Sequence, residues 1–148
     1  MAIELMLGKS SDGKPMHYAV GAIIQRNGLY LLTERVDPPP GFAGIAGHVD
    51  KGEIPVRAMI REVREESGLA VVSYELIDEG ETRFGNCSRG IGVHYWYLFD
   101  CSTEGEVTMD PKQSKSLEWY SIEQMRALKV QRRMEPVWEH WFTKYIIK

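Results

Sequence analysis

Cysteine is scarce in this chain, with Cys87 and Cys101 the whole supply. No CxxC occurs, which argues against a thiolate zinc site, and two separated thiols suit a reducing compartment better than a disulfide framework. No apolar run is long enough to span a bilayer, and the first residues lack the pattern of a signal peptide. A cytoplasmic protein without a membrane partner is therefore expected. Charge of one sign is also lacking. Lys and Arg number 18 against 21 Asp and Glu, a formal net charge of −3, so no nucleic-acid polymer is expected as partner. There is no internal repeat and no low-complexity segment. What is present, 148 residues that are 43% hydrophobic, can bury one proper core, and a single domain over 1–148 is expected.

The chain is organised around Gly47 to Leu69, GHVDKGEIPVRAMIREVREESGL. Pro55 suits the first turn of a helix, and Gly68 suits the left-handed residue just past its end. Between them each residue turns about 100°. With Ala58 at zero, Glu62, Glu65 and Glu66 fall near roughly 40°, 340° and 80°, while Met59, Ile60, Val63 and Ser67 fall between roughly 100° and 200°. Three carboxylates thus share one narrow face, beside an apolar stripe expected to face the core. Like charges three and four residues apart each destabilise a helix by roughly 0.2–0.5 kcal/mol. The dipole makes carboxylates near a C-terminus worse still. Local rules that fail in this way point to function. A divalent cation of the Mg²⁺, Mn²⁺ or Ca²⁺ type is the simplest compensation for clustered carboxylate oxygens.

The stretch resembles the Nudix box: Gly, five residues, Glu, seven residues, then Arg-Glu-aliphatic-any-Glu-Glu-any-Gly-aliphatic. Gly47, Glu53, Arg61, Glu62, Val63, Glu65, Glu66, Gly68 and Leu69 fill its nine positions. A chance match in a chain this long is on the order of one in ten million. The resemblance implies an α/β/α sandwich with a mixed central sheet, and a metal-dependent hydrolase. Such an enzyme attacks the diphosphate bridge of a nucleoside diphosphate linked to X with water. It implies Mg²⁺ or Mn²⁺ on Glu62, Glu65, Glu66 and the Gly47 carbonyl. Arg61 would grip a box glutamate by a bidentate pair, and Glu53 would assist the metal ligands. Just before the box, family members often carry Trp-any-Leu-Pro-Gly-Gly. Here the residues are Phe42-Ala43-Gly44-Ile45-Ala46-Gly47, so the entry loop departs from the pattern.

Around the box the pattern reads as strands, one helix, strands, then helices, an α+β order. A short edge strand is expected over 1–7, a hairpin over 17–35 turning at Asn27-Gly28, and a Pro-stiffened surface loop over 36–42. A strand then leads into the box. One or two strands follow over 69–84, then a loop over 85–90 and a long strand over 91–101. After a polar loop come a short strand over 117–121 and a helix beginning at Ile122. A last amphipathic helix over 134–147 turns Val137, Trp141 and Tyr145 inward, with Trp138 a further candidate for that face.

Outside the box, Glu118 is the acid expected to join the chemistry, because alternation turns it away from Leu117 and Trp119. Asp110, before Pro111, reads as a turn residue. His48 and His94 are weighed as bases but read as structural. Phe42, Phe84 and Arg35 are the candidate substrate contacts. The expected substrate is a small diphosphate compound such as a nucleoside triphosphate, and a homodimer is left open. Two other classes are kept: a non-enzymatic nucleotide sensor of the same fold, and an isoprenoid diphosphate isomerase. The intact box glutamates argue against both.

Overall fold

The structure is a computed structural model and describes residues 4–83 and 90–148. Within them β1 (Leu7–Lys9), β2 (Pro15–Arg26), β3 (Leu29–Arg35), β4 (Phe42–Ala43) and β5 (Ile45–His48) precede α1 (Pro55–Ser67). After it come β6 (Ala70–Thr82), β7 (His94–Glu104), β8 (Ser114–Tyr120), α2 (Ile122–Val130) and α3 (Pro136–Tyr145). The strands form one mixed sheet in the order β4-β3-β2-β7-β6, with β1 and β5 also on β2 and β8 on β3. Only the β2–β7 pairing is parallel among the described strands.

Alternation along β2 builds two cores. Val20, Ala22 and Ile24 face α1, where they meet Ala58, Met59 and Val63. Ile23 faces the other way, into a cluster with Met125 and Leu128 of α2 and Val137, Trp138, Trp141 and Phe142 of α3. Successive strand residues point to opposite faces, so one strand serves both layers. The result is the α/β/α sandwich expected from the box. Asn27 and Gly28, at φ 53° and 78°, make the two-residue hairpin turn between β2 and β3.

Several boundaries move. Among the described residues the first strand is 7–9 rather than 4–7, and the start of the expected strand, 1–3, lies outside them. Residues 70–82 make one continuous strand, and β8 starts at Ser114, three residues before the expected Leu117. Tyr145 is only partly buried, whereas Trp138 is fully buried beside Val137 and Trp141. Ile60, assigned to the core stripe of α1, is 38% exposed, because Ala58, Met59, Val63 and Ser67 fill the buried face. The expected loop over 85–90 lies almost wholly outside the described residues.

Trp138 seats the C-terminal helix on the strand before the box. A Cβ on Gly44 would stand 2.5 Å from its ring, and one on Gly21 2.9 Å. Gly44→Ala should therefore destabilise the fold by about 1–3 kcal/mol, the usual cost of overpacking. Urea denaturation of the two proteins measures it, and equal midpoints would disprove the contact's importance.

Candidate active site

Helix α1 is stopped at both ends as its sequence requires. Pro55 occupies its first turn, and Gly68, at φ 73°, closes it with an N–H donated to the Arg64 carbonyl. Its buried side anchors it to the sheet, which leaves Arg61, Glu62, Glu65 and Glu66 beside the strand-to-helix turn.

Arg61 ties this corner together. Its Nε and Nη2 donate to the two carboxylate oxygens of Glu53 at 2.9 and 3.0 Å, a bidentate pair. Nη1 donates to Glu62 at 2.8 Å and to Glu65 at 3.2 Å, and Nη2 also donates to the His48 carbonyl at 3.0 Å. Asp50 lies 3.5 Å away. The hydrogen bonds to Glu53 hold the guanidinium far above its usual range and pull the Glu53 carboxyl down.

Glu62 and Glu66 behave differently. The Glu62 side chain is 14% exposed, and burial pushes its carboxyl up to about 7 despite Arg61. Burial, then the charge of Glu62, raises Glu66 well above its ordinary value, although it accepts the Ala46 N–H at 3.3 Å. Glu65 remains 57% exposed. Gly47 sits under Glu62, so closely that a Cβ there would overlap the carboxyl group. Position 47 therefore needs glycine for close approach rather than for a turn.

These groups line a cleft of about 350 Å³. Arg35, Asp37, Pro38, Pro39, His48, His94, Trp96 and Glu135 line it too. The Pro-stiffened loop is thus part of the site wall, and Arg35 donates to the Pro39 carbonyl at 3.0 Å. Glu135 caps α3 by accepting the Val137 and Trp138 N–H groups, and burial raises its carboxyl. The sequence reading missed Glu135. An acid directly before Pro136 is a helix-start signal that marks the residue, though not its place in the cleft.

Two candidates lie elsewhere. Phe42 is 4% exposed and packs against Tyr120, with the Arg133 guanidinium over its ring, so it is a core residue rather than a substrate contact. Glu118 is exposed on β8 opposite Leu32 and is not among the cleft's lining residues. Alternation does turn it away from Leu117 and Trp119, but onto an exposed surface that is not part of the cleft lining. Phe84 lies outside the described residues. Asp110 makes the expected turn, accepting the Lys112 N–H at 2.9 Å. His48 and His94 are not isolated: with His17 they form a cluster. Burial, then His17, pulls His94 down to about 4. Cys101 is buried against Met59, and burial pushes its thiol up to about 12.

The geometry agrees with the comparisons. The NUDIX domain profile matches residues 15–141, and the chain belongs to that family. It is 37% identical over 126 residues to nudix hydrolase 1 of Caenorhabditis elegans, covering 80% of this chain and 32% of that protein. It is 29% identical over 111 residues to the NAD-capped RNA hydrolase NudC of Pseudomonas aeruginosa, covering 74% and 38%. The chain thus spans about a third of the length of these relatives. Among solved structures, a NUDIX hydrolase from Nitrosomonas europaea superposes with a TM-score of 0.68 at 23% identity, covering 87% of each chain. A MutT NUDIX hydrolase from Burkholderia pseudomallei gives 0.67 at 23% identity, covering 79% of this chain and 95% of that one. At such identity these two speak for the fold alone. Among the described residues no helix is long and apolar enough to cross a membrane.

The raised Glu62 carboxyl has a consequence for folding. The unfolded chain releases this proton near 4.5, the folded protein near 7. Between these values the folded state holds the extra proton, so its stability falls as pH rises through that window and is level above it. In a chelating buffer the melting temperature should drop from pH 5 to pH 7.5, and Glu62→Gln should flatten much of the slope. An unchanged slope in Glu62→Gln would show that Glu62 is not the group responsible.

Proposed function

We propose that the chain is a divalent-cation-dependent hydrolase of a small diphosphate compound, of the form nucleoside diphosphate linked to X. The observation that carries this reading is the Arg61-held carboxylate cluster packed over side-chain-free Gly47 at a cleft. The donor set is all oxygen, the chemistry of Mg²⁺ or Mn²⁺. Gly47 supports the fit, since any side chain there would displace the Glu62 carboxylate from the floor of the cleft.

Glu62, Glu65 and Glu66 would hold the cation, with the Gly47 carbonyl beside them. When bound, Mg²⁺ or Mn²⁺ neutralises phosphate oxygens and makes water acidic enough to attack near neutral pH. The chain's own residues do the rest. Arg61 fixes Glu62 and Glu65, and Glu53 fixes Arg61 by the bidentate pair. Arg35, on the cleft wall, gives the diphosphate a positive partner. Trp96, also on the wall, offers a face for a base. The attacking water forms a new P–O bond, the bridging P–O bond breaks, and the water's proton passes to a carboxylate. We assign that proton to Glu65, the most exposed box glutamate in the cleft. Glu118 is not among the residues lining the cleft, so this reading does not use the outside acid expected from the sequence.

The test is cleavage of a panel of diphosphate compounds with Mg²⁺, read as the phosphate freed from the products by added phosphatase and pyrophosphatase. The panel includes nucleoside triphosphates, dinucleotides and a NAD-capped RNA oligomer, the last because of the relative's name. Turnover of one of them, abolished by excess chelator, is expected. No turnover anywhere on a broad panel, or full turnover in chelator, would overturn the reading.

Two variants separate site from scaffold. Glu65→Gln and Glu66→Gln should each lower kcat by at least about a hundredfold, the scale for losing one electrostatic stabiliser. Their melting temperatures should hold or rise, since like-charge repulsion is relieved. Glu118→Gln should keep the wild-type rate and pH profile. A large loss of kcat in Glu118→Gln would instead return the proton transfer to β8.

A further inference from the structure

Three imidazoles meet on one face of the sheet, beside the carboxylate helix; His48 directly follows Gly47 in the box but fills none of its nine defining positions. His17 lies near the start of β2, His94 opens β7, and His48 closes β5. Strand register brings them together. His17 pairs with His94, and two residues along Ala19 pairs with Trp96 on one side and His48 on the other. Residues two apart on a strand share a face, and directly paired residues lie on the same side of a sheet. The three rings and Ala19 therefore point the same way. Ala19 contributes only a methyl group between them, which leaves the room that a larger side chain would fill.

The ring centroids are 5.0, 5.9 and 5.5 Å apart. One nitrogen from each ring lies within 4.8 Å of the others, and His48 Nε2 stands 3.4 Å from His94 Nε2. A chain of imidazole hydrogen bonds is the simpler account of two of these rings. The third ring converges on the same point, and the cluster opens onto the cleft through His48 and His94. A tetrahedral cation with Zn–N bonds of 2.0–2.1 Å sets its nitrogens about 3.4 Å apart. The spacing of the His48 and His94 nitrogens matches, and His17 needs to close by little more than an ångström.

We propose that His17, His48 and His94 form a second cation site, distinct from the carboxylate site and suited to Zn²⁺ or a similar transition ion. Three neutral imidazoles are the donor set of such ions and a poor one for Mg²⁺. Three protein ligands leave a fourth position, and here it faces the cleft, where water or a substrate oxygen completes the shell. The site rests on strand register and the spacing of the three rings, so it stands or falls independently of the diphosphate hydrolase reading.

The experiment is a zinc titration of the untagged full chain, stripped of metal and held in millimolar Mg²⁺, against a chromogenic chelator. One equivalent of Zn²⁺ should bind despite the Mg²⁺. Co²⁺ in its place should give the intense visible absorption of a four-coordinate site. His48→Asn, at a half-buried position, should weaken zinc binding by at least about a hundredfold, beyond the range seen when only a ligand's supporting partner is removed. His94→Gln should do the same, and a melting curve for each variant confirms that it is folded. If His94→Gln does not fold, His48→Asn decides. Glu65→Gln and Cys87→Ser should leave the zinc affinity unchanged. Absence of zinc binding in Mg²⁺, binding that survives folded His48→Asn, or binding lost in Glu65→Gln or Cys87→Ser would each overturn the proposal.

Discussion

The guanidinium of Arg61 is the interaction on which the site depends. It reaches two glutamates of its own helix, Glu53 before the helix, and the carbonyl of His48 at the end of β5. These contacts join the last strand before the box to the helix after it. Without a cation so placed, Glu62 and Glu65 would repel each other on one narrow face beside the half-buried Glu66. With it, two of them are held in place while Glu66 is positioned by the Ala46 N–H. A lysine would supply the charge but not the planar fork that grips Glu53 with two bonds.

The helix of the box was legible because its signals are local. Pro55 and Gly68 mark its ends, and the angular spacing of its side chains separates carboxylates from core. Arg61 and Glu53 were legible from the box alone, and the bidentate pair is present. The strands were legible as runs, though not to the residue, since β6 and β8 extend through polar positions such as Ser73 and Ser116 that pairing, not burial, holds in the sheet. The sandwich itself came from the resemblance. No periodicity tells that Val20 and Ile23 serve two different cores.

What the sequence hid is what depends on register and on the path of loops. Glu118 alternates as expected, but alternation fixes only which side of a strand a residue takes, not which strand lies next to the cleft. Phe42 precedes the box and reads as a rim aromatic, yet β4 carries it inward against Tyr120. Glu135 reads as a helix start and reaches the cleft only because α3 folds back over β4. His17, His48 and His94 are tens of residues apart, and no spacing rule for metal ligands within one segment would join them. Three neighbouring strands do.

The seat of Trp138 against Gly21 and Gly44 has a bearing on how freely such domains exchange parts. Where relatives often carry a leucine, this chain has Gly44, and the indole of its last helix occupies the space so released. Entry strand and final helix are thus matched pieces from opposite ends of the domain. A chimera that imports either one from a relative would bring two bulky groups to one place, or leave none there. The pair must be inherited, or transplanted, together.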